Sequence, residues 1–355
     1  MSESLWQSLG ALPRLTDDVP PISGVLKREL EDFMVEEQPA YLPTGEGEHL
    51  YLWVEKRGLN TPDAVNRLCE ALGAPRDGSG YAGLKDKHAV TRQWLSFHTT
   101  KTPAPEELQL DGVRVLEVSR HVNKLRTGHL RGNRFTIRLA DVPAEQDEAI
   151  ARVLARLGEL GLPNYYGPQR FGHEGRNFHD AWRWIVEGGR SPAKPFLRKL
   201  FVSTLQSGLF NAWLGDRVTR GALSLGIPGD VMRKEETGGI FVSSDAAADA
   251  PRVASWEISA TGPMFGAKMR PAEAEALELE TALLERFGVT AEHLARVSKF
   301  GEGTRRPARV RVSDVAHQRD GADTVLSFTL PKGSYATVLI AELTKARGLT
   351  LGDDP

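Results

Sequence analysis

Arg134-Phe135-Thr136-Ile137-Arg138-Leu139 alternates strictly between polar and apolar side chains. A period of two marks a half-buried strand, so Phe135, Ile137 and Leu139 are predicted to face a core and both arginines the opposite side. Downstream, Ile150, Val153, Leu154 and Leu157 recur at helical spacing within Ala144 to Leu157. A strand followed by a covering helix predicts an α+β layer. Upstream, Leu50-Tyr51-Leu52-Trp53-Val54-Glu55-Lys56 reads as a mostly buried strand, with others at Trp94 to His98 and Val113 to Val118. Leu26 to Glu37 reads as a short strand or turn region. Thr61-Pro62-Asp63 opens a helix as N-cap, first-turn proline and acid, with Ala64, Val65, Leu68 and Leu72 as its apolar stripe and Gly73 as its end.

The pattern changes near Gly158. Residues 178–187, 195–214 and 271–287 read as helices, with Trp182, Trp184, Phe196, Phe201, Leu205, Leu209 and Phe210 as their expected core. Between them, 215–270 is rich in Gly, Ala and Ser, with short strand-like pieces such as Gly239 to Val242. Strand patterns return at Ala308 to Val312 and Val325 to Leu330, and a last helix covers Ser334 to Lys345. A largely helical module inserted into a mixed-sheet domain explains this order. The 355 residues, 40% hydrophobic and 26% charged, suit about two domains with sizeable cores.

Several chemistries are excluded or weakened. The stretch Met1 to Gly24 carries Glu3, Asp17 and Asp18 without a sustained apolar run, so no secretory leader is expected. No apolar run approaches the roughly 18 residues that cross a membrane, and cytoplasmic residence is expected. The single cysteine, Cys69, rules out an intrachain disulfide and a multi-cysteine zinc site; beside Leu68 and Leu72 it reads as a packed thiol. Gly78 to Gly83 matches G-x-G-x-x-G, yet it follows a helix end and opens no apolar helix, so dinucleotide binding is not supported. No phosphate-loop motif is present. No histidine pair has zinc spacing, and the histidines read as surface or RNA-facing groups. Ser203 and Ser207 lack a nucleophile-elbow setting.

The stretch expected to carry chemistry is Gly80 to Trp94, GYAGLKDKHAVTRQW. Asp86 lies between Lys85 and Lys87, and neighbouring cations favour an ionised carboxylate. Gly80 and Gly83 would permit close approach of backbone to a ligand. Thr91 and Arg92 supply donors suited to a phosphate or sugar. An ionised carboxylate in a basic loop is a candidate nucleophile. Taken alone, the same Lys-Asp-Lys is also what an ordinary solvated loop looks like.

The net charge of −2 hides a segregated distribution. Residues 1–50 balance to −7, whereas Val118 to Ala140 holds six bases (Arg120, Lys124, Arg126, Arg131, Arg134, Arg138) and no acid. Arg296, Lys299, Arg305, Arg306, Arg309 and Arg311 form a second basic run against Glu302 alone. Such separation suits a polyanion partner.

Five further stretches stand out: Lys27 to Glu37 (KRELEDFMVEE), His121 to Arg134 (HVNKLRTGHLRGNR), Asn164 to Gly172 (NYYGPQRFG), Leu205 to Asn211 (LQSGLFN) and Phe328 to Leu343 (FTLPKGSYATVLIAEL). Together with YAGLKDKHAVTRQW, this ordered set resembles the TruD family of tRNA pseudouridine synthases, from about Lys27 to Leu343. The resemblance implies an α+β fold: a pseudouridine-synthase catalytic domain, a mixed sheet with helices in circularly permuted order, at 1–157 and 309–355. An inserted, largely helical α/β TRUD domain would occupy 158–308. It implies isomerisation of uridine 13 of tRNA to pseudouridine, without cofactor or metal. The family's catalytic aspartate falls on Asp86, the aromatic of its FxVxE motif on Phe33, and the asparagine of KLRxGxxxGN on Asn133. The aromatic of LPxGSF falls on Tyr335, where phenylalanine is usual; Tyr166 departs from its motif in the same way.

On this reading the target base leaves its stack and enters a cleft lined by Phe33, Asn133 and Tyr335. Lys27, Lys85 or Arg92 could hold Asp86 ionised and bind the adjacent phosphate, with Lys27 favoured. Arg126, Arg131, Arg134, Gln169 and Arg170 are the candidate RNA contacts, and both basic runs are expected to grip phosphates. Plainer readings stand beside these: Phe33 and Tyr335 as core aromatics, Asn133 as a turn residue, Gln169, Arg170 and Phe171 as packing at a hinge. A catalytically silent tRNA-binding protein and an N-glycosylase remain as alternatives. The partner is tRNA, no membrane or obligatory protein partner is implied, and a monomer is expected.

Overall fold

The structure is a computed structural model that describes residues 2–26 and 28–346. The chain begins with α1 (Ser2–Gly10), β1 (Val25–Leu26), β2 (Phe33–Pro39), β3 (His49–Arg57), α2 (Thr61–Leu72), β4 (Gly80–Tyr81) and β5 (Val90–His98). Next come β6 (Gln109–Leu110), β7 (Val113–His121), β8 (Leu130–Ala140), α3 (Asp147–Leu160), β9 (Leu162–Pro163), α4 (Arg176–Ile185) and α5 (Pro195–Thr219). They are followed by β10 (Val231–Lys234), β11 (Ile240–Val242), α6 (Ala246–Ala254), β12 (Ile258–Met264), α7 (Ala274–Phe287) and α8 (Ala291–Arg296). Last are β13 (Thr304–Pro307), β14 (Arg309–Val310), β15 (Ser313–Asp320), β16 (Asp323–Pro331) and α9 (Ala336–Thr344).

Contacts divide the chain into two units. Of the described residues, the sheet unit takes in 22–26, 28–151 and 312–333, and the helical unit 2–21, 152–311 and 334–346. The breaks fall close to the 157/158 and 308/309 read from sequence. The assignment of the two ends differs: the leader and α9 belong with the helices. Their apolar residues explain this, because Leu5, Trp6, Leu9 and Val338 join the helical unit's core.

The sheet unit is one ten-stranded mixed sheet, ordered β15-β16-β8-β2-β5-β3-β7-β6, with β1 beside β8 and β4 beside β5. Among the described residues only β2 and β5 pair in parallel; the other pairings of this sheet are antiparallel. Leu50, Leu52, Val54, Leu95 and Phe97 bury one face against Ala64, Val65, Leu68 and Leu72 of α2, with the thiol of Cys69 inside. The alternation that opened the sequence reading holds: Phe135, Ile137 and Leu139 are buried, Arg134 is exposed and Arg138 half-buried. One detail of α2 differs. Asn60, not Thr61, is the N-cap, its side chain accepting from the Asp63 N–H at 2.8 Å. Thr61 is thereby turned inward, fully buried. Gly73 ends the helix in the left-handed region at φ 64°.

The helical unit is built around α5, whose Phe201, Leu205, Leu209, Phe210 and Trp213 pack with Phe178 and Trp182 of α4 and with the antiparallel sheet β11-β10-β12-β13. Phe196, expected in this core, is instead 71% exposed in the first turn of α5. The basic run at 296–311 is divided: Arg296, Lys299 and Arg311 are exposed, whereas Arg305 and Arg309 are buried. Arg305 pairs with Glu280, both buried, and Arg309 stacks over Trp256 at 3.8 Å while donating to the Leu160 and Val253 carbonyls. It therefore does not offer the continuous phosphate-gripping surface its composition suggested. No helix among the described residues is long and apolar enough to cross a membrane.

Candidate active site

Asp86 sits on the connection between β4 and β5, a segment without regular structure that is fastened at several points to the buried face of the sheet. Gln93 Nε2 donates to the Gly83 carbonyl at 3.0 Å. The Thr61 hydroxyl accepts the Lys85 N–H at 3.0 Å and lies 2.9 Å from Gln93 Oε1. The displaced N-cap makes this bridge available, since a capping Thr61 would have spent its hydroxyl on its own helix. The Ala82 carbonyl accepts from the Gly128 N–H at 2.8 Å, and Asp86's own carbonyl accepts from Lys56 Nζ at 2.6 Å. The half-buried Asp86 side chain folds back so that Oδ1 accepts the His88 N–H at 3.0 Å. Such anchoring fixes where a carboxylate stands, as preorganised chemistry requires.

Lys85 does not flank Asp86 as a free cation. It turns inward and bonds Glu37 Oε2 at 2.6 Å, with the two side chains 3% and 1% exposed. Glu37 also accepts from the Trp94 N–H at 3.4 Å. Burial pushes the Glu37 carboxyl upward, and the charge and hydrogen bond of Lys85 oppose that push. We take the pair as ionised on its geometry: a 2.6 Å contact between two groups of opposite charge, with a second donor on the acid.

Strand register gathers the other candidates. Glu37 lies opposite Asn133, and Val35 opposite both Thr91 and Phe135. Side chains alternate across a strand, so Phe33, Glu37, Thr91, Asn133 and Phe135 share the buried face on which the Asp86 loop is fastened. Phe33 packs edge-on against Phe135 at 6.2 Å, and Phe135 stacks on Phe328 at 5.4 Å. Phe33 is thus a core aromatic of this face. Two polar atoms there are buried without a hydrogen-bond partner among the described residues, Asn133 Oδ1 and Thr91 Oγ1. Buried polar atoms are rarely left unmatched unless a ligand or water completes them.

Arg92 lies on the opposite face. It bonds Glu55 Oε2 at 2.9 Å and approaches Glu36 at 3.5 Å, while Arg114 reaches Glu55 from the other side at 3.1 Å. Arg134 stands opposite Glu36, so charges alternate across β7, β3, β5, β2 and β8. Arg138 is likewise held by Asp320 and Asp323. The strand arginines read as facing away from the core therefore lie mostly on a charge-compensated outer surface. In the remainder of the basic stretch, Arg120 caps carbonyls of Gly47, Thr99 and Lys101, whereas Arg126, Arg131 and Arg134 are exposed with no side-chain partner among the described residues.

Three candidates belong to the helical unit. Gln169 is exposed. Arg170 bonds Ser203 and Ser207 and lies 5.4 Å from the Tyr166 ring. Tyr335 meets Tyr166 edge-on at 6.0 Å, and Arg306 lies over that same ring at 4.0 Å. Lys27 lies outside the described residues. His121, expected at the surface, is buried and stacks on Tyr41 at 5.1 Å.

Sequence reasoning missed Lys56 and Glu37. The signal for Lys56 was present: it continues the inward phase of Leu50, Leu52 and Val54, where a lysine has no place unless something pairs it. Gly80 also has a different purpose from that expected. A methyl there would lie 2.1 Å from the Leu125 carbonyl oxygen, so the glycine admits neighbouring backbone and not a ligand. Gly80→Ala is expected to destabilise the chain by about 1–3 kcal/mol in urea unfolding; an unchanged midpoint would refute the contact.

A model of the family described as tRNA pseudouridine synthase D (TruD) matches residues 10–194 and 192–343. A tRNA pseudouridine synthase D from Anaeromyxobacter sp. strain Fw109-5 is 50% identical over 341 residues, covering 94% of this chain and 96% of the relative. Another from Thermus thermophilus is 45% identical over 338 residues, covering 95% and 93%. A crystal structure from Methanosarcina mazei assigned to the same family superposes with a TM-score of 0.78 at 24% identity, over 98% of this chain and 99% of that one, and supports the fold.

Proposed function

The chain belongs to the tRNA pseudouridine synthase D family, and from that premise we propose that it converts uridine 13 of tRNA to pseudouridine, with Asp86 as the reacting carboxylate. It is an isomerase acting on tRNA uridine. The reaction breaks the N1–C1′ bond, turns the uracil and joins C5 to C1′; C5 gives up a proton and N1 gains one. Atoms and electrons balance within the nucleoside. A carboxylate beside the sugar serves either by attacking C1′ or by removing a sugar proton to give a glycal. Both routes require the base outside its stack, facing a fixed acid.

The observation that supports this reading best is the pairing of the anchored Asp86 loop with two unmatched polar atoms, Asn133 Oδ1 and Thr91 Oγ1, on the same sheet face. An extruded uracil offers N3–H to such an acceptor, and a ribose offers hydroxyls. Phe33 supports the face from within its core. In the sheet unit RNA backbone is met by Arg126 and Arg131; Gln169, Arg170 and Tyr335 remain candidate RNA contacts of the helical unit by itself.

The deciding experiment incubates the protein with tRNA bearing uridine at position 13 and maps the product. Pseudouridine at that position is expected. Free uracil would indicate an N-glycosylase, and tight binding without product a silent tRNA-binding protein. Neutralising Arg126 and Arg131 together is expected to reduce the slope of log affinity against log salt by roughly 0.9 per contact, whereas Arg92→Ala should leave it unchanged. Equal slopes for all variants would remove these arginines from the interface.

A further inference from the structure

We propose that Lys56 is a positioning residue for this isomerisation, its buried ammonium holding the main chain of Asp86 and supplying the cation that faces that acid from beneath. The inference rests on the assignment of Asp86 as the reacting group. Lys56 is 1% exposed, and among the described residues its Nζ donates only to the carbonyls of Leu59 and Asp86, both at 2.6 Å. It rises from β3, a central strand, and its direct neighbour across the sheet is Thr91, whose hydroxyl is one of the unmatched atoms of the site. A lysine is costly to bury, and one bonded only to carbonyls is retained where its charge has work to do. Two other cations near Asp86 in sequence are committed elsewhere, Lys85 to Glu37 and Arg92 to Glu55 and Glu36, and Lys87 is exposed.

The charged groups facing Lys56 are Asp86 and Lys85, and behind Lys85 stands Glu37. Burial drives the Lys56 ammonium down to about 8; the Asp86 carboxylate opposes this shift and Lys85 adds to it. The ammonium is therefore present below about pH 8 and lost above it, and its hydrogen bonds weaken when the charge goes.

The test is Lys56→Met and Lys56→Gln, with folding followed by circular dichroism and single-turnover pseudouridine formation measured beside tRNA binding from pH 6.5 to 9.5, on the order of the span needed to bracket the titration. Expected are tRNA affinity within about threefold of wild type, a rate lowered at least about tenfold at pH 7, and loss of the wild-type alkaline limb. A folded variant with a wild-type rate, or one keeping that limb, overturns the proposal. Should neither variant fold, the wild-type profile decides: a fall centred near pH 8 with faster intrinsic-corrected hydrogen exchange over residues 82–88 supports it, and a flat rate overturns it. Wild-type protein that binds tRNA and makes no pseudouridine would instead refute the activity itself.

Discussion

Asp86→Asn is expected to abolish pseudouridine formation, lowering the single-turnover rate by about 10³-fold or more, while tRNA binding stays within about threefold. The amide keeps the size of the acid and retains an oxygen able to accept the His88 N–H, the contact that Asp86 Oδ1 makes at 3.0 Å. Its carbonyl still receives Lys56, because that bond is to the main chain. What disappears is the negative charge proposed to attack C1′ or take a sugar proton. A rate within tenfold of wild type would remove Asp86 from the chemistry. Loss of binding as well would mean that the loop, not the charge, had been disturbed; Asp86→Glu, which restores charge at a longer reach, separates these cases.

The second large effect is on stability. Lys85→Met leaves Glu37 buried and without its cation, and is expected to cost about 3–5 kcal/mol. The double variant Glu37→Leu with Lys85→Met should recover much of that, since replacing both members removes the stranded charge. The pH dependence has a definite sign. Burial already raises the Glu37 carboxyl, and in Lys85→Met the opposing charge and hydrogen bond are gone. The folded chain then holds the proton to higher pH than the unfolded chain does, so destabilisation is greatest at high pH and shrinks as pH falls through the raised value. Urea unfolding from pH 5 to 8, roughly the range in which such a carboxyl titrates, checks this. A destabilisation independent of pH would mean that Glu37 carries no charge in the wild type. Activity should fall with stability, because Lys85 adjoins Asp86 on the same anchored segment.

Much of the architecture was legible because its causes are local. The stripe of α2 and its Gly73 end, the alternation at Arg134 to Leu139 and the helical run of α5 each declare themselves within a few neighbouring residues. The misreadings share one origin. Thr61 looked like an N-cap by residue type, but Asn60 competes for the same position and wins, freeing Thr61 for the Lys85 N–H. Phe196 looked like core by residue type, but the first turn of α5 exposes it. Arg92 and Arg138 looked like RNA-facing cations, but Glu55, Asp320 and Asp323 reach them from distant strands.

The sequence by itself determined the chemical inventory: a single acid in a basic, glycine-bounded loop, the motifs around it, and which segments become strands and helices. Those properties follow from side-chain type and short spacing. Only the tertiary structure decided which cation each acid meets. Lys85, next to Asp86 in the chain, turns away to Glu37, and Lys56, thirty residues upstream, comes to hold the Asp86 carbonyl. Charge partners depend on strand phase and strand order, and these are set by burial of the whole sheet face rather than by any neighbour along the chain.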